Sequence, residues 1–435
     1  MDSIATITLL IIASHFCGGI QFQDDPVIER FRDYLKIDTA HPNPASKYLP
    51  GIEWINNQSV DIGLDFTLHT LQFLPEQPPY HDGYALWLTW PGRNPALKSI
   101  LINTHMDVVA VDESKWDQDH PPFEAVMDAN GDIYARGAID MKSATAGALE
   151  ALRILKAEGF EPLRTIHLTI MPDEEVGGHH GMEPFVNSEH FERLNVGVDI
   201  DECEINAGNV LLISTAEKAI WQFNITANGT AAHASTLPED TAAGKLQFAI
   251  NKLLQYRTEQ LDEVNTNPNV TVADVTTINL VQMGGGLGDN IIPDLLWASF
   301  DMRILIKPDW NFGHVDNFLN GIIAEAGVDL KWIQRSEHDG VTPTDGNVWW
   351  DEIMRACDQL NLTCNSQVIS GATDGRYVRS KGIPVFGIHP FLNTEKRAHQ
   401  HNEKINAVEY LAGIPRFTQI IRNVASLPED ENIDY

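Results

Sequence analysis

Between Ser99 and Glu202, stretches of two-residue apolar period alternate with stretches of helical spacing, and this alternation restricts the fold more than any other feature of the chain. Strands are expected over 99–103, 165–171 and 196–200, and helices over 142–158 and 182–194, with Gly159 a fitting stop for the first helix. That order predicts an α/β fold, a mostly parallel sheet covered by helices. Near Thr215 the order changes. Strands over 219–228, 270–281, 295–306 and 328–334, with helices over 242–263 and 311–326, give the βαββαβ pattern of a ferredoxin-like sandwich. The α/β pattern resumes near Thr342 with helices over 349–360 and 407–425 and a strand over 384–388. The expected organisation is a leader at 1–19, one α/β domain in two parts (20–214 and 339–435), and an α+β insertion at 215–338.

Residues 4–13 of the leader read IATITLLIIA, with small residues at Cys17, Gly18 and Gly19. A membrane span needs about 20 apolar residues. A cleaved secretory signal fits better, although Asp2 stands where a basic residue is usual. The expectation is a secreted protein starting near Ile20, with no membrane association after cleavage; the alternative is a cytoplasmic one. Sequons at Asn57, Asn224, Asn228, Asn269 and Asn361 add weak support. Lys and Arg number 30 against 61 Asp and Glu, a net charge of −31, which argues against nucleic acid or an anionic membrane as partner. Four cysteines exclude a disulfide scaffold. Cys357 and Cys364 fit either a short-loop disulfide or two buried small side chains.

Polar residues gather where the α/β strands end. His105 and Asp107 close the first strand, and in extended chain they point to one side, so Asp107 can orient a metal-binding His105. Asp140 precedes a helix, where its plainer role is a cap. Asp173, Glu174 and Glu175 are three consecutive carboxylates, whose repulsion a divalent cation would relieve. Glu202 ends the next strand, and His399, His401 and Glu403 lie in a loop before the last helix. In open α/β sheets sites form outside the carboxyl ends of strands. A mixed histidine and carboxylate set suits zinc at a hydrolytic site. Two zinc ions would balance Asp140, Glu175, Glu202 and one hydroxide, with His105 and His401 neutral and Glu174 left as a proton shuttle.

The segments SILINTHMDVV, IYARGAIDMK, RTIHLTIMPDEEVGGHHGME, HASTLPEDTAAGKL, NIIP, VTPTDGNVWW, ATDGRYVR and HQHNE stand in an order that resembles the family of co-catalytic zinc aminoacylases and exopeptidases, from about Pro26 to Pro428. The resemblance implies a zinc-exopeptidase-like domain with an inserted lid and dimerisation domain, two zinc ions per subunit and a homodimer. It implies hydrolysis of N-acyl-L-amino acids to a carboxylate and a free amino acid. A metallo-dipeptidase or carboxypeptidase is the alternative, and a non-catalytic binding protein on this fold the more distant one. By resemblance, His105 and Glu202 hold one zinc, Glu175 and His401 the other, and Asp140 bridges them. Glu174 is the general base, Asp107 stands behind His105, and His233 reaches a partner's active site. Arg376 clamps the substrate carboxylate and Asn290 lies near the substrate. Cys203 departs from the family pattern, which has Gly there; a buried bystander is expected. The glycine-rich 284–288 also departs from it.

Overall fold

The computed structural model describes residues 22–41, 45–71, 83–268, 270–307, 310–336 and 340–434. The expected leader and the Asn269 sequon lie outside these residues. Two compact units are present. The first runs up to Thr215 and continues over Thr342–Ser366 and Thr373–Tyr435; the second comprises Ala216–Val341 and Gln367–Ala372. Sequence analysis placed the insertion at 215–338 and did not assign the hexapeptide Gln367–Ala372 to it.

The first unit is organised by an eight-stranded sheet. Its strands follow the order Asp65–Leu71, Gly83–Trp90, Ile166–Met171, Ser99–His105, Val196–Asp201, Val385–Ile388, Leu211–Glu217 and Cys364–Ile369. The four strands from Ile166–Met171 to Val385–Ile388 are parallel, while Gly83–Trp90 and Leu211–Glu217 join antiparallel on either side, so the sheet is mixed. Side chains alternate between two apolar layers. Ile100 and Ile102 enter one core with the helices Lys142–Ala157 and Ala407–Ala425; Leu101 enters another with Phe185 and Phe191. Such a strand is buried on both faces, which is why it reads as a continuous apolar run.

The expected helix over 182–194 is two helices, Met182–Val186 and Glu189–Leu194. Ser188 accepts a hydrogen bond from Phe191 N and caps the second, so helical spacing continues through a chain that stops and restarts. Cys357 and Cys364 form a disulfide, and Cys203 is buried. No helix among the described residues is long and apolar enough to cross a membrane.

The second unit has a four-stranded antiparallel sheet in the order Thr277–Gly285, Leu295–Ile304, Ala219–Asn228, Asp329–Arg335. With the helices Ala242–Thr266 and Phe312–Ala326 this is the βαββαβ sandwich. Leu246, Ala249 and Leu253 form one buried helix stripe against Trp221, Phe223 and Phe300. Gln222, Asn224 and Thr226 alternate with these apolar positions, and Asn224 is hydrogen bonded to Ser299. The expected strand over 270–281 begins only at Thr277. Thr271 and Asp274 form a reciprocal capping box that winds Val272–Asp274 into a 3₁₀ turn, and this local hydrogen bonding outweighs the β-propensity of the valines.

Candidate metal centre

Parallel pairing brings the carboxyl ends of three strands together, with His105 opposite Met171. The chain beyond Met171 turns through a 3₁₀ helix at Glu174–Val176, and Gly177 and Gly178 follow with φ of 108° and 67°, conformations that favour glycine. Glu202 follows Asp201 at the end of its strand. Asp140 does not cap the helix at Lys142: the cap position is Met141, no side chain caps it, and the Asp140–Met141 peptide is cis. The carboxylate of Asp140 faces two histidines instead.

Two groups of potential ligands result, His105 with Glu174 and Glu202, and Asp140 with Glu175 and His399; within each, the donor atoms lie within 4.8 Å of one another. His105 Nε2 is 3.3 Å from Asp140 Oδ1, 3.6 Å from Glu202 Oε2 and 3.9 Å from Glu174 Oε2. His399 Nε2 is 3.0 Å from both Asp140 Oδ2 and Glu175 Oε2. Asp140 therefore touches a histidine of each group through a different oxygen. His401 does not join either group: its side chain is exposed, and His399, two residues earlier, takes the place expected for it.

The buried acids strain against one another. Burial and the neighbouring Glu202 hold Glu174 well above the usual carboxylate range. Burial, opposed by His105, pushes Glu202 up to about 8, and burial with Asp140 pushes Glu175 to about 7. Asp140 is lowered, because the neighbouring His105 and His399 together outweigh its burial. Hydrogen bonds to Asp140 and Glu175 raise His399 to about 10. Among the described residues the buried Nε2 of His105 finds no partner in hydrogen-bonding geometry, although carboxylates surround it. An unsatisfied imidazole nitrogen among competing carboxylates is what a divalent cation would resolve, and the donor set fits one in each group.

Asp107 lies behind this centre and is fully buried. Its Oδ1 and Oδ2 accept Glu174 N at 3.2 Å and Glu175 N at 3.0 Å. Its backbone oxygen meets His105 Nδ1 at 2.9 Å, with Oδ1 at 3.4 Å. The ring of His41, which sequence analysis missed, lies 2.9 Å from Oδ2. Burial alone would raise the Asp107 carboxyl, but His105 and His41 outweigh it and hold it at about 2.

Arg376 lies close to the loop of Glu174 and Glu175. It is buried, and its guanidinium donates to Thr373 O at 2.6 Å and Gly177 O at 2.8 Å. Its fork is engaged with carbonyls of its own chain, and it braces the loop that carries Glu174 and Glu175. In the second unit, His233 pairs with Ile291 across a short strand pair, and Ala234 N donates to Asn290 O, so His233 and Asn290 are neighbours. Both are exposed, and His233 Nδ1 lies 2.7 Å from Ser235 Oγ. Cys203 belongs to neither ligand group; its thiol faces Leu212 O.

An α/β sheet with histidine and carboxylate ligands at its strand ends defines a metal-dependent hydrolase centre. The chain belongs to peptidase family M20/M25/M40, which it matches over residues 101–423. It is 38% identical to Aminoacylase-1 of Homo sapiens over 410 residues, 93% of this chain and 97% of that one. It is 33% identical to Aminoacylase-1 of Dictyostelium discoideum over 421 residues, 93% of this chain and 99% of that one. In fold it resembles the di-peptidase Dug1p of Saccharomyces cerevisiae (TM-score 0.71, 15% identity, 99% of this chain and 100% of that one). Human carnosine dipeptidase 1 is similar to the same degree (TM-score 0.71, 15% identity, 98% and 100% covered).

Proposed function

We propose that the chain hydrolyses N-acyl-L-amino acids to a carboxylate and a free amino acid, using two zinc ions per subunit. The observation that carries this reading is Asp140, which lies between two histidine-and-carboxylate groups in a chain 38% identical to Aminoacylase-1 of Homo sapiens. His105 and Glu202 would hold one ion, Glu175 and His399 the other, and Asp140 would bridge. The bound ions would act as Lewis acids toward the scissile carbonyl. Glu174 is the group left to move protons: its carboxylate takes one from the attacking water and returns it to the nitrogen of the departing amine. Asp107 fixes the backbone of Glu174 and Glu175, so the base and its neighbouring ligand keep their spacing. A panel of N-acyl amino acids and dipeptides, assayed with purified and metal-analysed protein, tests the substrate class. Turnover of N-acyl amino acids should dominate; turnover confined to substrates with a free amine would make the chain a dipeptidase.

The same reading includes a homodimer in which His233 of one chain serves the other's site. The outer strands of the second unit, Thr277–Gly285 and Asp329–Arg335, leave edges that pairing would cover. A histidine aimed at the developing oxyanion contributes about 10²–10³ in turnover. Mixing inactive His233→Ala with inactive Glu174→Gln should then restore activity after subunit exchange, because one site of each mixed dimer has both residues intact. Verified exchange with no recovery would place His233 outside the partner's site. Export is part of this reading too, supported by the apolar leader and the Cys357–Cys364 bond; N-terminal sequencing of the exported protein should begin near Ile20.

A further inference from the structure

Glu403 and Arg136 form an ion pair beside the metal centre that the mechanism does not use, and both are buried, at 0% and 2% exposure. Arg136 Nη1 donates to Glu403 Oε2 at 2.5 Å. The other carboxylate oxygen, Oε1, accepts the backbone amides of Ile139 at 2.7 Å and Asp140 at 3.2 Å. The second arm of Arg136, Nη2, reaches the carbonyl of His399 at 3.4 Å. The pair thus spans two loops far apart in sequence, one ending in the bridging carboxylate and the other carrying the histidine that faces it.

The His399 loop turns through two left-handed residues. His399 and Asn402 have φ of 63° and 55°, left-handed conformations that are uncommon outside glycine, although histidine and asparagine adopt them more readily than most side chains. Such residues persist where the surroundings over-determine them. Here Ala135 N donates to Glu403 O, Asp117 N donates to Asn402 Oδ1, and the strand Lys404–Asn406 pairs with Asp132–Tyr134. A buried ion pair is poor evidence for stability, since its desolvation offsets most of its attraction. Fixing a geometry is a better explanation for one so placed.

We infer that Glu403 and Arg136 are positioning residues that set the distance between Asp140 and His399, and so the affinity of the Asp140–Glu175–His399 group for its cation. This rests on the two-metal reading above. Loss of an outer partner of a metal ligand typically costs about 10–100-fold in affinity.

The test uses the full chain stripped of metal and titrated with zinc against a chromophoric chelator, with the melting point of the metal-free protein measured in parallel. Glu403→Gln keeps an oxygen for the Ile139 and Asp140 amides but places an amide against Arg136. It should weaken one of two zinc equivalents by about 10–100-fold and the other, which shares only Asp140 with it, by clearly less, and saturating zinc should recover most of kcat. Arg136→Lys, the milder change, keeps the charge and loses the arm to His399, and should weaken the same equivalent. Because the two residues act as one device, Arg136→Met combined with Glu403→Gln should cost no more than the larger single loss. Wild-type affinity for both equivalents in Glu403→Gln and Arg136→Lys would overturn the inference. So would equal weakening of both equivalents with a lowered metal-free melting point, the signature of a merely structural pair. A wild-type chain that takes up no zinc would instead overturn the two-metal reading, and this inference with it.

Discussion

Replacing Glu174 by Gln should lower turnover by about 10²–10⁴, the usual range for removing a general base, while the protein keeps its metal and its fold. Three features of the site lead to this value. Glu174 is adjacent in sequence to Glu175 but belongs to the other ligand group, and its Oε2 lies farther from His105 than the nearest oxygens of Asp140 and Glu202 do. Burial and Glu202 raise its carboxyl above the usual range, so the carboxylate is a stronger base toward water and holds the proton it takes until the amine departs. Its backbone nitrogen is tied to Asp107, so an isosteric amide loses the chemistry and keeps the position. Steady-state kinetics and metal analysis on the same preparation check this. Metal loss in Glu174→Gln would move Glu174 into the ligand set.

His399→Ala and His401→Ala should differ sharply although the two residues are separated by a single glutamine. His399 Nε2 lies 3.0 Å from both Asp140 and Glu175, so its loss removes a ligand from one group and leaves two carboxylates facing one another. Zinc in that group should weaken by more than the 10–100-fold that follows loss of an outer partner, and activity at limiting zinc should fall with it. His401 is exposed and outside both groups, so His401→Ala should change affinity and turnover by less than about threefold, the scale of an ordinary surface substitution of ±0.5 kcal/mol. Chelator-competition titration and kinetics of the two variants side by side decide the matter. The reverse ranking would restore His401 to the site.

The case of these two histidines shows where sequence stops being informative. The strand ends were readable because each strand announces itself by its own apolar run, and Ser99–His105 and Ile166–Met171 are buried along their whole length. Position at a strand end then follows from counting. His399 and His401 lie in a loop whose course depends on a left-handed turn at His399, on Asn402 and on the buried Glu403, none of which leaves a periodic trace. Arg376 is a similar case: its guanidinium braces Gly177 O across 199 residues, a contact that spacing does not announce. His41 and Arg136 act through Asp107 and Glu403, and partners separated by 66 and 267 residues are invisible to spacing. The strand Asp65–Leu71 escaped because its side chains are only partly covered and its pattern is weak. Gly83–Trp90, by contrast, carries a legible signal, an aromatic-rich run buried almost throughout.

The most direct measurement is a zinc titration of the rigorously metal-free chain, with hydrolysis of an N-acyl-L-amino acid followed at each addition. The two ligand groups predict that the stripped protein is inactive, that activity rises to a plateau at two equivalents per chain, and that chelation abolishes it again. Full activity in the metal-free chain, or a plateau at two equivalents with no hydrolysis of any N-acyl amino acid, would contradict the account.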